Sequence, residues 1–178
     1  MNDVEIAGGF AVTGRGDWLG AEPAAETEGR LWFAARNRPF LTRLDLGVRV
    51  SVVASKLLVA PRSARKRRGT VRPVPFSVRG AIPVLELEIG WAVMATASRT
   101  TRIVVGEDET LAVAPEAVVA WTGKRPNGFC PRLRLRDVFI PRKARLKLRF
   151  FGPCIVWVEG GLAGCNLVER RIVERLKG

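Results

Sequence analysis

Short apolar runs separated by turn-forming residues recur along most of the chain. They are rich in Val, Ile, Phe and Trp and are bounded by Gly, Pro or Asn, which is typical of β-strands. In several runs apolar and polar residues alternate, as in Val48–Val52, which indicates a strand with one buried face. The predicted strands cover residues 31–35, 47–54, 56–60, 71–79, 82–89, 91–97, 102–105, 110–114, 117–121, 132–139, 144–150 and 155–158.

This spacing leaves no room for helices between the strands. Many short strands at intervals of about ten residues are typical of sandwiches and barrels. The sequence therefore predicts an all-β fold, a sandwich or partly closed barrel of about a dozen short antiparallel strands.

One helix is predicted, at the carboxyl end over residues 166–177. Val168, Ile172 and Leu176 recur at helical spacing, Asn166 is a suitable cap, and Glu169 occupies the capping-box position. A helix of about twelve residues is marginal alone. We expect it to dock on the β body or on another subunit.

A chain of 178 residues is expected to form a single β-rich domain. Residues 1–30 form a loosely patterned amino-terminal segment, 31–158 the β core and 166–177 the helix. Lys56–Pro61 resembles Thr110–Pro115, 54 positions later, which indicates either a duplicated β unit or a chance match of apolar sequence.

Composition adds a strong basic excess. The chain has 30 Lys and Arg against 17 Asp and Glu, a net charge of +13, and 24 of the 30 basic residues are Arg. Arginine binds phosphates and carboxylates in a bidentate manner, so an Arg-rich surface suits an anionic partner. GC-rich coding also favours Arg over Lys, but it does not explain why acidic residues are so outnumbered.

Catalytic and metal sites are not apparent. With no His, the chain has no Ser-His-Asp, Cys-His or His-metal site, and the acidic pair Glu86 and Glu88 is interpreted as a solvated strand face. We expect no enzymatic activity, no cofactor and no metal. Cys130, Cys154 and Cys165 match no metal pattern and indicate buried free thiols in a reducing compartment, so a cytoplasmic protein without a targeting or membrane segment is expected.

The sharpest charged feature is a pair of alternating basic strands. Their apolar residues are expected to face inward and their six cations outward on one sheet face. These cations are Arg132, Arg134, Arg136, Arg145, Lys147 and Arg149. The alternatives are an anion-binding face and a solvated face on which acidic residues such as Glu86 and Glu88 neutralise the cations.

A second basic feature is the segment 62–68. Five cations in seven residues between two strands predict a flexible loop that contacts phosphates, or an ordinary solvated hairpin tip. Its predicted anion-binding residues are Arg65, Lys66, Arg67 and Arg68. Lys124-Arg125 and Arg142-Lys143 are similar basic loop tips.

The five Trp residues lie mostly within apolar segments that are predicted to be strands, so packing in the core is favoured over stacking on nucleic-acid bases. Trp32-Phe33 and Phe150-Phe151 each place adjacent rings on opposite faces of a strand, which predicts one exposed ring per pair.

The carboxyl-terminal half resembles a known family. Residues 103–121 are similar to its "proline-or-glycine, glutamate, leucine, valine, then leucine-alanine-phenylalanine" segment. Residues 146–158 resemble its "leucine-x-phenylalanine-x-glycine-proline-glycine-x-valine-tryptophan" strand pair, with Cys154 in place of a glycine. This is the mitochondrial-biogenesis (altered inheritance of mitochondria) family of tryptophan RNA-binding attenuator-like β-proteins. The resemblance implies a β-sandwich without established enzymatic activity in which Gly152-Pro153 forms a turn, and fold analogy implies oligomerisation and a link to RNA.

Together these features predict a non-enzymatic binding or assembly protein that uses a basic β face to engage an anionic partner. RNA or DNA is the leading expectation, and an anionic membrane surface would attract the same cations. The alternative is an oligomeric scaffold that associates through the C-terminal helix or sheet edges, with its cations paired internally or at membrane headgroups.

Overall fold

The computed structural model describes residues 4–6, 9–13, 18–20, 23–27, 30–34, 38, 40–72, 81–88, 90–129, 147–160 and 170–172. Within these ranges the chain forms eighteen strands and three single-turn 3-10 helices. The strands are β1 Val4–Ile6, β2 Gly9–Thr13, β3 Trp18–Gly20, β4 Ala25–Thr27, β5 Arg30–Ala34, β6 Phe40–Leu46, β7 Val50–Val53, β8 Leu57–Pro61, β9 Arg65–Val71, β10 Ile82–Leu87, β11 Gly90–Thr96, β12 Thr100–Val105, β13 Glu109–Val113, β14 Val118–Thr122, β15 Asn127–Phe129, β16 Lys147–Phe151, β17 Cys154–Glu159 and β18 Arg170–Ile172.

These strands form four antiparallel sheets. Sheet 1 has the order β1-β2-β5-β4, sheet 2 the order β3-β8-β11-β6, sheet 3 the order β12-β17-β14-β7-β10-β9, and sheet 4 the order β15-β16-β13-β18. The all-β prediction is confirmed. The described strands outnumber the predicted dozen, because the short strands expected in residues 1–30 were given no bounds and β6 and most of β9 lie outside the predicted runs.

Three apolar cores lie between successive sheets and place them in the order 1, 2, 3, 4. Phe33 and Val93 belong to the core shared by sheets 1 and 2, and Val52 and Met94 to the core shared by sheets 2 and 3. Trp121 and Phe150 belong to the core between sheets 3 and 4. The central sheets bury both faces, which explains why runs such as β11 and β14 are almost continuously apolar.

Single 3-10 turns carry the chain from one sheet to the next. Ala54–Lys56 joins β7 of sheet 3 to β8 of sheet 2, Arg62–Ala64 returns the chain to sheet 3, and Pro115–Ala117 joins β13 of sheet 4 to β14 of sheet 3. The two similar segments noted in the sequence each supply a strand that ends in such a turn. Both turns end in a buried alanine, Ala64 and Ala117, so the two segments occupy equivalent local positions.

Two predicted elements are corrected. Residues 170–172 belong to the predicted helix 166–177, but they form strand β18. This strand pairs with β13 so that Leu111 lies opposite Arg170. The rest of the predicted helix lies outside the described residues. A short helix is marginal in isolation, and pairing at a sheet edge satisfies the same backbone groups. The predicted basic loop 62–68 consists of the 3-10 turn Arg62–Ala64 and the start of β9.

No helix in the described part of the chain is long and apolar enough to cross a membrane.

Candidate functional site

The basic segment 65–68 lies on an edge strand. Among the described strands β9 pairs only with β10, with Arg68 opposite Leu85 and Arg67 opposite Glu86. The register then shifts so that Leu87 lies opposite Arg65, which leaves Lys66 as the extra residue of a β-bulge. Bulges and charged side chains both protect sheet edges from pairing with another strand. The edge of sheet 3 is therefore an ordered, positively charged border rather than a loop.

Arg67 is paired across the strands. Its Nε donates to Oε2 of Glu86 at 2.9 Å. The two side chains differ sharply in exposure, 63% for Arg67 and 10% for Glu86. A nearly buried carboxylate needs a charged partner, because desolvation without one is costly. Glu86 thus neutralises Arg67. The sequence alone allowed a different role, in which Glu86 neutralises the cations of the two alternating basic strands within residues 132–149.

A groove runs along the outer edge of β9. It has a volume of about 930 Å³, and its opposite wall is the segment 125–128, which enters β15 at the edge of sheet 4. Four consecutive residues of β9, Arg67 to Thr70, line it, so the groove follows the strand edge instead of one sheet face. Among the nine described residues that line it, four are arginines and none is acidic; the arginines are Arg67, Arg68, Arg72 and Arg125.

The two walls are held together by one close approach. A guanidinium nitrogen of Arg125 lies 2.9 Å from the position that a β-carbon at Gly69 would occupy. Only a residue without a side chain leaves that space, so Gly69 allows Arg125 to lie against β9. This contact places the Arg125 charge against the β9 wall of the groove.

Three of the groove arginines have no ion pair within the described ranges. Arg68, Arg72 and Arg125 form no salt bridge with the carboxylates described there, and Arg68 and Arg125 are exposed. Concentrated positive charge at the wall of a concave surface attracts anions and raises their local concentration. The charge and concave shape of the groove therefore suit an anionic ligand.

The structure places the predicted anion-binding residues unequally. Arg67 and Arg68 line the groove, Arg65 is exposed outside it, and the side chain of Lys66 is not described. The remaining predicted cations before β16 lie outside the described residues; these are Arg132, Arg134, Arg136 and Arg145.

The outward-facing prediction for β16 is wrong at Lys147. Leu148 and Phe150 are buried as predicted, but Lys147 is only 7% exposed. β16 lies between β15 and β13, and Lys147 is not without a partner there, so its long alkyl stem can be buried while its ammonium group keeps an interaction. Arg149 is half-buried and lies opposite Asn127, a groove residue, so the two side chains project from the same face of sheet 4.

Two groove residues were absent from the predicted site. The sequence places Arg72 in the predicted strand 71–79 and Arg125 in a basic loop tip before Pro126, and neither pattern indicates that the two belong to one site. Their role depends on the contact between segments more than 50 positions apart, and that contact has no local sequence signal. The basic loop tip Lys124-Arg125 was the sole indication of Arg125.

A second buried charge cluster ties two of the sheet-switching turns together. Lys56 Nζ lies 3.3 Å from Oε2 of Glu159 and donates to the backbone carbonyl of Glu116. Burial lowers the pKa of Lys56 below its ordinary value, and the nearby Glu159 carboxylate opposes part of this shift. The cluster links the turn Ala54–Lys56 to the turn Pro115–Ala117 and to the end of β17.

Other reactive groups form no site. Glu88 forms an ion pair with Arg49 at 2.6 Å, whereas Glu86 pairs with Arg67, so the two acidic residues belong to different ion pairs. Cys154 is a buried free thiol, and burial raises its pKa, which opposes formation of the reactive thiolate. In the described part of the chain no three metal-binding side chains come together.

Comparison with known proteins adds a fold relationship. The sequence matches no protein-family model, and no curated protein is significantly similar to it. The chain is similar in structure to protein SPYM3_0169 from Streptococcus pyogenes, with a TM-score of 0.55 and 15% sequence identity, over 76% of this chain and 62% of that one. The chain thus spans less than two thirds of that protein's length, and at this identity the likeness shows a shared fold alone.

Proposed function

We propose that this protein is a non-enzymatic binding protein that engages nucleic acid through the groove between β9 and residues 125–128. The observation that supports this most directly is the groove lining, which within the described ranges holds four arginines and no acidic residue. Guanidinium groups donate paired hydrogen bonds to phosphate oxygens and keep their charge at any physiological pH. A net charge of +13 adds a long-range attraction for polyanions.

The central experiment is a comparison of two charge-matched double variants. R68Q/R125Q removes two groove arginines, and R99Q/R102Q removes two arginines in and before β12, which is the opposite edge strand of the same sheet. Both pairs are exposed, so neither change should unfold the protein. Binding would be measured by fluorescence anisotropy with a labelled single-stranded RNA at low salt.

The groove variant should lose affinity by roughly tenfold or more, corresponding to about 1.4 kcal/mol, while the control variant loses much less. Equal losses in the two variants would show that net charge rather than the groove drives binding. Absence of binding by the unaltered protein would overturn the proposal.

The oligomeric scaffold is a second candidate. It is supported by β6, an edge strand of sheet 2 among the described strands, where Phe40 is exposed at 40%. An exposed ring on a sheet edge suits contact with a second copy of the chain. Light scattering of the unaltered protein and of Phe40→Ser tests this, and a monomer in both cases would exclude association through that edge.

The family and location expected from the sequence belong to the same proposal. The resemblance to the mitochondrial-biogenesis family is supported by Gly152-Pro153, which lies in the turn between β16 and β17 as that resemblance implies. A cytoplasmic location is supported by the buried free thiol of Cys154, which suits a reducing compartment.

A further inference from the structure

We infer that the groove holds the backbone of a single nucleic-acid strand at about three phosphates and does not read its bases. Arg68, Arg72 and Arg125 make the contacts, and Glu86 keeps Arg67 from making a fourth. This inference rests on the proposed function and specifies the ligand of the same site.

The lining explains why bases are not read. Single-strand binding proteins stack bases on aromatic rings, and none of the described residues that line this groove is aromatic. Trp91, Trp121 and Phe150 are buried in the cores. Two uncharged polar residues, Thr70 and Asn127, are too few to distinguish four bases by hydrogen bonding. The arginines can contact phosphates, which are the same in every sequence.

The shape of the groove favours one strand over two. A volume of about 930 Å³ is comparable to that of a large small-molecule pocket and accommodates a few nucleotides. The groove lies between the edge strand β9 of sheet 3 and the segment that leads into β15 of sheet 4. An extended single strand can lie along β9 and face both walls, whereas a duplex spreads its phosphates over a wide convex surface and would bring fewer of them to the groove arginines.

Glu86 limits the number of contacts. If Arg67 turned toward a phosphate, it would leave the nearly buried carboxylate of Glu86 without its partner at 2.9 Å. No comparable restraint acts on Arg68, Arg72 or Arg125 within the described residues. The ligand therefore meets three available guanidinium groups, and Arg125 is held in position over Gly69.

Salt dependence counts these contacts. Each phosphate neutralised on a single strand contributes about −0.7 to the slope of log affinity against log salt. The slope measured for the R68Q/R72Q/R125Q variant should therefore be flatter than that of the unaltered protein by about 2. Glu86→Gln should release Arg67 and make the slope steeper by about 0.7. Glu107→Gln is the control, because it removes one exposed carboxylate in the turn after β12.

The probes are labelled 12-mers of uridine, adenosine and cytidine, an abasic oligomer of the same phosphate number, and a duplex of the same length. The single-stranded and abasic probes should bind within about threefold of one another, and the duplex about tenfold more weakly or worse. A tenfold preference for one base, loss of the abasic probe, or equal binding of the duplex would overturn the inference and leave the proposed function standing. If no probe binds, the proposed function fails as well.

Two variants test the role of Glu86. An unchanged slope in Glu86→Gln would show that Arg67 is not withheld. Because this substitution lies at a buried position, the double variant Arg67→Gln/Glu86→Gln gives a second measurement. Its slope should be flatter than that of Glu86→Gln by about 0.7, and equal slopes in the two variants would show that Arg67 was not released toward the ligand.

Discussion

The guanidinium of Arg125 occupies the space that a side chain at position 69 would need. This contact joins the edge of sheet 3 to the segment that leads into sheet 4, and it brings Arg68 and Arg125 onto the two walls of one groove. Because Gly69 and Arg125 are 56 positions apart, the groove is a product of the fold rather than of a local motif.

Gly69→Ala should weaken nucleic-acid binding by a few-fold while leaving the fold intact. The added methyl group displaces the far end of a flexible side chain, and alanine in a strand restricts the unfolded chain, so stability should be unchanged or higher by less than about 1 kcal/mol. Gly47→Ala is the matched control, because nothing lies within 4 Å of its β-carbon position. Unchanged affinity in Gly69→Ala would show that the position of Arg125 does not matter to the ligand.

The stability of the protein should rise with pH through the titration of Lys56. Burial lowers the pKa of Lys56 from its ordinary 10.5, so between the two values the unfolded chain binds more protons than the folded chain. Raising the pH through that interval therefore favours the folded state. Urea unfolding at about pH 8 and about pH 10 should show this gain in the unaltered protein relative to Lys56→Met. An identical pH dependence in the two proteins would contradict it.

Two neighbouring phenylalanines should differ in their importance for stability. Phe150 is 1% exposed and packs against Trp121 with ring centroids 5.8 Å apart, whereas Phe151 is 44% exposed. Phe150→Ala should cost about 3–5 kcal/mol of unfolding free energy and Phe151→Ala less than about 1 kcal/mol. Chemical denaturation of both variants measures the difference, and similar costs would contradict the assignment of the two faces of β16.

Gly152→Ala should destabilise the protein by about 3 kcal/mol. A β-carbon at this position would overlap the backbone carbonyl of Gly106, and backbone cannot move aside as a side chain can. Thermal unfolding beside Gly47→Ala measures the effect. A melting temperature as high as that of the control would show that the contact between the two turns is not required.

Much of the fold follows from local sequence pattern. The runs that became β10, β11, β13, β14 and β17 were predicted within a few residues, because apolar residues bounded by Gly and Pro specify short buried strands. Strand alternation also predicted that one of the two adjacent rings would be exposed; Phe150 is buried and Phe151 is exposed. The stacking of four sheets did not follow, because it depends on which faces of β7 and β14 meet which neighbours.

The errors have a common physical cause. Arg65 to Arg68 looked like a solvated loop by charge density, but pairing with β10 and the ion pair to Glu86 stabilise them as a strand. Ile172 fitted a helical stripe, but it pairs opposite Glu109 in β18. Lys147 looked exposed by alternation, but an interior strand buries it. In each case a tertiary contact overrides a local preference.

The central claim is that phosphates bind in the groove, and chemical protection of individual arginines tests it most directly. The protein would be treated with an arginine-selective dicarbonyl reagent with and without single-stranded RNA, and modification at each site quantified by mass spectrometry. Arg68, Arg72 and Arg125 should be protected by the RNA, while Arg99 and Arg102 on the opposite side of sheet 3 should react equally in both samples. Protection of Arg99 and Arg102 with continued reaction of the groove arginines would contradict the account.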